Sequence, residues 1–415
     1  MTIEWIKPLV GHPGPFATVY LDATRSVEAG DRDVANRWRA MRKNLSKQGA
    51  PDPVLAELDE AVGRPTRVRG PHGRVLIADA GGVLVDRVLR EPPSVMAAVW
   101  HRVPSLLQAA RSADEAVDAL CVAVDRQGAD FFPVGTDGAR TGEPDTFEGG
   151  HDELSKTSST STKRATIESR AEDSWRRNAE AVAGEIDRRV ASQRPEVVLL
   201  TGDVRAVNLV RGELGQQATE VTVEVAGGGR DAGVHQEAFA EAVADALDSF
   251  RARRSEQVLA ELREGLGRDS GAVAGVEDVV AVLSRGQVKH LVLSEQLADD
   301  AARALRSWTD GAENGPDAGS LLNGRQLWIG PDPLHIGVAR AQLEGLGVNE
   351  GLEELPVASA LMRAAVGQDS GLVFAPQGSV ELMDGVGATL RWEDDGTPHE
   401  SAASMSGDGG RLRAL

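Results

Sequence analysis

Two aspartates could bring carboxylates together for metal-dependent chemistry. Asp125 follows the apolar run 119–124, and Asp203 follows the apolar run 197–202, so both would stand at the ends of strands. Two carboxylates at one sheet edge could hold Mg²⁺ and activate water for RNA cleavage. Because two-metal catalysis normally uses more acids than this pair, we favour a turn role for Asp125 and a helix-capping role for Asp203. An Mg²⁺-dependent RNA endonuclease stays open as an alternative.

Two glycine motifs could take part in ester or phosphate chemistry. Gly149-Gly150-His151 is flanked by Glu148, Asp152 and Glu153, and these acids would repel a substrate surrounded by phosphate. Gly227-Gly228-Gly229 lacks the following Gly-Lys-Ser/Thr of a phosphate-binding loop. Both motifs are predicted to be ordinary loops.

Metal and thiol chemistry have little support in the sequence. The 8 histidines are scattered, with no pair at the spacing of zinc ligands. The single cysteine, Cys121, lies in an apolar run, which excludes a disulfide framework and favours a small core residue. We therefore expect no metal, no cofactor and no catalytic residue.

Length and net charge limit the possible partners. The chain has 415 residues, 41% of them hydrophobic, and a formal net charge of −19 at pH 7. This length suggests about three domains. Because Lys and Arg supply most non-specific affinity for phosphate, the acidic balance disfavours indiscriminate nucleic-acid binding, and we expect no DNA partner.

Membrane and export signals are missing from the sequence. No apolar stretch approaches the roughly 20 residues that cross a bilayer. The N-terminus, MTIEWIKPLVGHPG, lacks the basic and then apolar plan of a signal peptide. We expect a cytoplasmic protein with no membrane partner.

Basic residues are concentrated in three segments of the N-terminal half. Six of them lie between residues 32 and 47, more follow in 64–74, and a third group lies in 155–177. Such clusters are typical of RNA-binding surfaces, although solvated helix faces are an alternative. On the predicted helix 31–48, three basic residues are expected to project from one side. The residues predicted to contact RNA are Arg37, Arg42, Lys43, Arg67, Arg69, Lys156, Lys163 and Arg164.

Acidic residues dominate later in the chain. Between Ala341 and Met362 there is no basic residue, and the acids are Glu344, Glu350, Glu353 and Glu354. This surface suits a protein partner better than RNA.

The predicted elements indicate an α/β fold with three domains and a disordered tail. Apolar periodicity and turn residues define these elements. The domain boundaries are 1–113, 114–252 and 253–395, with the tail at 396–415. The first domain is predicted to contain a strand at 16–23, helices at 31–48 and 54–62, a hairpin at 73–89 and a helix at 95–110. The second is predicted to contain a hairpin at 119–134, a loop at 135–162, a long helix, a strand at 197–203, a helix at 204–214, a strand at 220–225 and a final helix.

The order and spacing of these regions resemble the archaeal and eukaryotic class-one release factors and Pelota. ALCVAVDRQGADFF (119–132) is similar to the first hairpin of the middle domain in that superfamily. RATIESRAEDSWRRNAEAVAGEI (164–186) resembles its long basic helix, and PEVVLLTGD (195–203) its central strand. AVAGVEDVVAVLSRGQVKHLVLSE (272–295), which is predicted to form a helix, a turn at Gly286 and a buried strand, resembles the opening of its C-terminal domain. Within the superfamily, the chain most resembles the Balon-like ribosome hibernation factors of actinobacteria.

The resemblance implies a fold and a place of action. It implies an α+β N-terminal domain, a ribonuclease-H-like middle domain and a ribosomal-protein-like α/β/α sandwich at the C-terminus. In the superfamily these domains reach the decoding centre, the peptidyl-transferase region and a translational GTPase such as elongation factor Tu, respectively.

One departure from the superfamily pattern bears on catalysis. Release factors carry Gly-Gly-Gln just before the long helix, where this chain reads SKTSSTSTKRATIESR (155–170). We therefore expect a non-catalytic RNA-binding factor that occupies the vacant A site and protects dormant ribosomes under stress. A release or rescue factor that hydrolyses peptidyl-tRNA is the alternative.

Overall fold

A computed structural model describes residues 5–12, 14–25, 31–66, 68, 70–115, 117–134, 143–150, 161–230, 235–310, 322 and 324–398. The chain divides into two compact units. Unit 1 combines Met1–Ala116 with Arg254–Leu415, and unit 2 is Val117–Arg253. Most of the predicted tail, from residue 399 onward, lies outside the described residues.

The N-terminal part of unit 1 is a four-stranded sheet covered by helices. Its elements are α1 (Lys7–Val10), β1 (Phe16–Asp22), α2 (Asp31–Lys47), α3 (Asp52–Gly63), β2 (Gly73–Asp79), β3 (Gly82–Leu89), β4 (Ala97–His101) and α4 (Leu107–Glu115). The strand order is β3-β2-β1-β4, and all pairs are antiparallel. The predicted hairpin around Gly81-Gly82 is confirmed, with Gly82 at a φ of 123°.

The predicted helix over 95–110 is wrong in its first half. Residues 97–101 form β4, whose Val99 lies opposite Thr18 of β1. A short apolar run fits a helix or a buried strand equally well, and here the open edge of β1 supplies hydrogen-bond partners. Pro104 then disfavours helical backbone at the preceding residue, so the helix begins only at Leu107.

Unit 2 is a mixed five-stranded sheet with helices on both faces. Its elements are β5 (Ala119–Val124), β6 (Gly128–Pro133), β7 (Asp145–Glu148), α5 (Ser161–Gln193), β8 (Val197–Gly202), α6 (Val204–Glu213), α7 (Gln216–Val221), β9 (Thr222–Glu224) and the first half of α8 (Gln236–Arg268), whose residues after Arg253 belong to unit 1. The strand order is β7-β6-β5-β8-β9, with β5, β8 and β9 parallel and β6 and β7 antiparallel to their neighbours. This is the order expected of a ribonuclease-H-like sheet. Strand β7 lies within the stretch that was predicted to be a loop.

The two faces of this sheet have separate cores. Side chains of α5, including Val182 and Ile186, pack against Val122 and Leu200 on one face. On the other face, Phe239 of α8 packs in a cluster with Cys121. Cys121 is fully buried, so its predicted core role is confirmed.

A buried ion-pair cluster joins α5 to the antiparallel side of the sheet. Arg189 Nε donates to Glu185 Oε1 at 2.6 Å, and another Arg189 nitrogen reaches Asp145 Oδ2 of β7 at 2.5 Å. The Arg189 guanidinium also lies 3.8 Å from the ring centroid of Phe131. Although burial opposes it, hydrogen bonds from Arg188 and Arg189 hold the pKa of Glu185 below its usual value.

Glu185 is expected to make the stability of unit 2 depend on pH. Because its folded pKa is lowered, its contribution is complete above the ordinary glutamate pKa of about 4.3 and is lost as the pH falls through the folded pKa. The measurement is the urea unfolding free energy of the native protein and of Glu185→Gln at pH 7 and pH 3. The difference between the two proteins should shrink on acidification, and a pH-independent difference would contradict this assignment.

The C-terminal part of unit 1 is an α/β/α sandwich with a small additional sheet. After α8 come β10 (Ala272–Ala274), α9 (Val276–Leu283), β11 (Val288–Ser294), α10 (Glu295–Asp310), β12 (Gln326–Ile329), β13 (Ile336–Gly337), α11 (Arg340–Gly345), β14 (Glu353–Pro356), α12 (Val357–Gly367), β15 (Gly371–Ala375) and β16 (Val386–Leu390). The sheets have the orders β10-β16-β11-β15 and β13-β12-β14. The predicted helix, glycine turn and buried strand over residues 276–294 are confirmed as α9, Gly286 and β11.

Both parts of unit 1 contribute to one hydrophobic core. Phe16 and Tyr20 of β1 belong to the same cluster of buried side chains as Leu361 of α12. The Tyr20 hydroxyl donates to the Ser105 carbonyl at 2.6 Å and accepts from the Ala109 amide at 3.1 Å. Burial raises the pKa of Tyr20, so this hydroxyl stays neutral. The two sequence regions therefore form a single packed body within unit 1.

Candidate RNA-binding surface

Helix α2 is amphipathic and presents its apolar side to the sheet of unit 1. Val34, Trp38, Met41 and Leu45 pack in a cluster with residues of β1, α3 and β2. These four positions recur at helical spacing, so the opposite side of α2 is left for solvent.

The exposed side of α2 is a continuous basic stripe. Arg32, Arg39, Lys43 and Lys47 are all exposed. On a helix with 3.6 residues per turn they fall within an arc of about 80° and extend over about 22 Å. We call these four residues the α2 stripe.

Most of the α2 stripe is available to an external ligand. Arg39 donates to the neutral Asn36 side chain at 3.0 Å and has no ion pair with any residue that the structure describes. Within the described ranges, Arg32, Lys43 and Lys47 have no ion pair. A row of uncompensated cations on a chain of net charge −19 creates a local positive potential that attracts phosphate.

Arg37 and Arg42 lie on opposite flanks of α2 and make structural contacts. Arg37 donates to the carbonyl oxygens of Asp22 at 2.8 Å and Thr24 at 3.0 Å. Arg42 Nε donates to the Asp59 carboxylate of α3 at 2.9 Å. The expectation that they share one side with Lys43 is wrong, because five residues turn a helix by about 140°. Their contact with RNA stays a prediction.

The other predicted RNA-binding residues fall where side chains are not described. Arg67, Arg69 and Lys156 lie outside the described residues, and Lys163 and Arg164 lie in α5 with undescribed side chains. Their predicted roles therefore stay predictions.

Two buried residues near the end of the basic segment 64–74 make structural contacts. His72 is buried, and its ring nitrogens lie 2.7 Å from Thr66 Oγ1 and 2.9 Å from the Gly70 carbonyl. Arg74 is also buried, in an ion pair with Asp86 at 2.7 Å, so it is a structural residue.

Arg32, Arg39 and Lys47 were missed as site residues, although the sequence contains the signal for them. The α2 stripe has spacings of seven, four and four residues, which return to one side of a helix. The predicted side of the helix was instead defined by Arg37, Arg42 and Lys43, of which only Lys43 belongs to the α2 stripe.

The two aspartates considered for metal binding have structural partners. Asp125 Oδ1 accepts from the amides of Gln127 at 2.8 Å and Gly128 at 2.9 Å, and from Arg230 at 2.7 Å. Asp203 Oδ1 accepts from the amides of Arg205 and Ala206 and caps α6. The turn and cap roles are therefore confirmed. Among the described side chains, no group of three or more His, Cys, Asp or Glu could hold a metal ion.

The two glycine motifs are only partly described, and one of them has a packing role. Gly228 donates to Thr201 Oγ1 at 3.1 Å, and a Cβ at this position would stand 2.4 Å from the Phe239 ring. This glycine therefore allows the loop to approach the sheet closely. Gly149 donates to the Gln127 carbonyl at 2.8 Å, whereas His151 lies outside the described residues.

The acidic residues of 341–362 are divided between paired and exposed positions. Glu344 pairs with Arg340 at 2.7 Å, and Glu353 pairs with Arg102 at 2.8 Å. Glu350 and Glu354 are exposed, and so is Leu346.

Among the helices that the structure describes, we find none with the length and apolar character of a membrane span.

The part of the chain that forms unit 2 and the rest of α8 is similar to a family of release factors. Residues 118–268 match the family model described as bacterial archaeo-eukaryotic release factor family 2. The predicted resemblance to release factors is confirmed over these residues, while the closer similarity to hibernation factors stays a prediction.

Other proteins match this chain over most of its length. The uncharacterized protein Rv2629 of Mycobacterium tuberculosis (strain ATCC 25618 / H37Rv) is 28% identical over 394 residues, covering 94% of this chain and 97% of that protein. Dom34 of S. cerevisiae, a translation termination-like factor, gives a TM-score of 0.39 at 11% identity, covering 78% of this chain and 80% of Dom34. Archaeal Pelota in a ribosome-bound form with ABCE1 gives a TM-score of 0.33 at 11% identity, with 94% of each chain covered.

Proposed function

We propose that this protein is a ribosome-binding factor that occupies the vacant A site and protects ribosomes in dormancy or under stress. It acts in the cytoplasm and without catalysis. The observation that carries the proposal is the α2 stripe, a row of four exposed basic residues on a strongly acidic chain. The match of residues 118–268 to a release factor family supports the ribosome as the source of the RNA.

The physical basis of binding is phosphate neutralisation confined to one surface. Each Lys or Arg that meets a phosphate releases condensed counterions, so affinity falls steeply with salt. The net charge of −19 keeps other surfaces from binding RNA indiscriminately. The α2 stripe would therefore orient the protein on ribosomal RNA, and the proposed contact is the decoding centre of the small subunit.

The proposed assignments for the rest of the chain follow the superfamily. The segment from Lys156 to Arg164 would approach the peptidyl-transferase region. Because this segment lacks Gly-Gly-Gln, it would not hydrolyse the peptidyl-tRNA ester there. A translational GTPase such as elongation factor Tu would meet the C-terminal part of unit 1. Glu350, Glu354 and Leu346 are exposed in this part and would supply acidic and apolar contacts for it.

Reversing two charges of the α2 stripe is expected to weaken ribosome binding. In the double variant Arg39→Glu/Lys43→Glu, two phosphate contacts are replaced by repulsion, so the dissociation constant should rise about tenfold or more. The slope of log affinity against log salt should also become shallower by about 2. The measurement is cosedimentation with 70S ribosomes over a salt series.

The matched control reverses two exposed arginines of unit 1 that lie outside the α2 stripe. Arg268 and Arg340 are each exposed and paired with one glutamate at helical spacing. The double variant Arg268→Glu/Arg340→Glu changes the net charge equally and should bind ribosomes like the unmodified protein. Equal loss in both variants, or no loss in either, would reject the α2 stripe. Rapid multiple-turnover cleavage of peptidyl-tRNA on the same ribosomes would instead support the rescue hydrolase.

A further inference from the structure

A second basic surface lies at the carboxyl end of β5 in unit 2. The turn Asp125–Gly128 is fixed by three hydrogen bonds to Asp125 Oδ1. The Arg126 carbonyl accepts from Asn178 Nδ2 of α5 at 3.0 Å. Both sides of the turn are therefore anchored, so Arg126 projects from a rigid backbone.

Arg126 is placed against an aromatic ring and keeps its donors unused. Its guanidinium carbon lies 4.3 Å from the ring centroid of Trp175, which is half-buried. Its nearest carboxylate oxygen, on Asp203, is 3.8 Å away, which is too long for a hydrogen bond. A guanidinium has five N–H donors, and in the described part of unit 2 no acceptor takes one from Arg126. The contact with Trp175 thus orders a cation whose hydrogen-bonding capacity is free.

Two further exposed arginines lie close in sequence to residues of this contact. Arg176 follows Trp175 on α5, and Arg205 lies in the first turn of α6, two residues after the Asp203 that faces Arg126. Arg177 is also exposed, but residues two apart on a helix do not face the same side, so it lies away from Trp175. The neighbouring acids Asp173 and Asp203 already have partners. Asp173 Oδ1 lies 3.8 Å from a terminal nitrogen of Arg176, and Asp203 Oδ1 caps α6. The surface keeps a positive excess around a partly exposed indole.

We propose that the Arg126 surface, made of Arg126, Trp175, Arg176 and Arg205, binds single-stranded RNA. An unstacked base lies on the Arg126–Trp175 pair, and the adjoining phosphates meet the outer arginines. Arginine suits both contacts, since its planar fork stacks on rings and binds phosphate through two donors. The inference rests on the proposed function, because it adds an RNA contact in unit 2 to the one on α2.

Single-stranded RNA fits this surface better than a duplex. A duplex presents phosphates and a shallow groove, and its bases are already stacked on one another. A ring covered by an ordered guanidinium offers an additional stacking position, which only an unpaired base can use.

The test is a fluorescence anisotropy titration of the full chain with a labelled single-stranded RNA of about 12 nucleotides. All proteins carry Arg39→Glu/Lys43→Glu, so that the α2 stripe does not contribute. Arg126→Ala and Trp175→Ala should each weaken binding roughly fivefold or more. Arg126→Lys, which keeps the charge and loses the planar group, should lose most of the same affinity.

The control is Arg211→Ala, since Arg211 is an exposed arginine of unit 2 with one carboxylate oxygen at 3.8 Å. It should leave binding unchanged, and all variants should unfold at the same temperature. The proposal is overturned if Arg126→Ala matches Arg211→Ala, if Arg126→Lys restores full affinity, or if a duplex of equal length binds as tightly. Ribosome cosedimentation of Arg39→Glu/Lys43→Glu tests the proposed function separately, so either idea can fail while the other stands.

Discussion

Replacing Arg74 with methionine is expected to destabilise unit 1 by about 2–4 kcal/mol. Arg74 is buried, and its Nε and one terminal nitrogen reach the two oxygens of Asp86 at 2.7 Å. Its remaining donors bind the carbonyls of Arg64 at 2.9 Å and Ala61 at 2.8 Å, at the end of α3. Removing one partner of a buried ion pair leaves the other partner unsatisfied, which costs about 3–5 kcal/mol when both are buried. The expected loss of unfolding free energy is smaller than this because the Asp86 side chain is 31% exposed and water can solvate it.

The control for Arg74 is its neighbour on β3. Arg87 is exposed and contacts the Trp5 ring at 4.9 Å, so Arg87→Met should cost at most about 1 kcal/mol. Urea unfolding gives both free energies, and hydrogen exchange of the β1 and β2 amides assigns the transition to unit 1. A loss below 1 kcal/mol for Arg74→Met would show that the sheet and α3 hold together without this residue.

Arg189→Met is expected to destabilise unit 2 by about 2–4 kcal/mol. Arg189 is 11% exposed, and its main partner Glu185 is 8% exposed. The substitution also removes the contact with Asp145, and methionine over Phe131 recovers only part of the packing. Glu185 keeps Arg188 as a partner, which is why the effect stays below the full cost of an isolated buried charge.

Arg188 provides a matched control on the same helix. It binds the same carboxylate, with its Nε at 2.9 Å from Glu185 Oε2, but its side chain is 68% exposed. Surface pairs of this kind contribute about 0–1 kcal/mol, so Arg188→Met should change the unfolding free energy by no more than that. If the two substitutions had equal effects, the burial of Arg189 and its contacts with β6 and β7 would be irrelevant to stability.

These arginines show how one residue type serves two purposes in this chain. Arg74 and Arg189 are largely buried in short ion pairs. Arg39 of the α2 stripe and Arg126 of the turn are exposed; among the described residues Arg39 has no ion pair, and Arg126 has only a long one, to Asp203 at 3.8 Å. Substitutions in the first group should change stability, and those in the second should change RNA binding. This separation lets the proposed function be tested on folded protein.

Much of the fold could be predicted from local patterns. The turn glycines Gly82 and Gly286 have positive φ, and their place between apolar runs located the β2–β3 hairpin and the α9–β11 connection. Long amphipathic segments such as α5 and α2 were also identified, because one apolar side repeated at helical spacing is unambiguous over many residues. Strand β4 was missed, since a five-residue apolar run takes its structure from the sheet edge it meets.

The candidate site was only partly predictable. The sequence identified the basic helix, and Lys43 was correctly placed on its exposed side. Arg37 and Arg42 were chosen with it, yet their partners Asp22 and Asp59 lie 15 and 17 residues away along the chain. No local pattern shows that such acids come close, so charge alone did not separate structural arginines from available ones.

The sequence by itself determined the α/β class, most of the helices and strands, the resemblance of residues 118–268 to release factors and the amphipathic basic helix. These depend on side-chain periodicity and turn chemistry, which act over a few residues. Only the tertiary structure decided that the two ends of the chain share one core in unit 1, and which basic residues keep a free charge. Both outcomes depend on which distant side chains meet, because burial and ion pairing are properties of the packed chain.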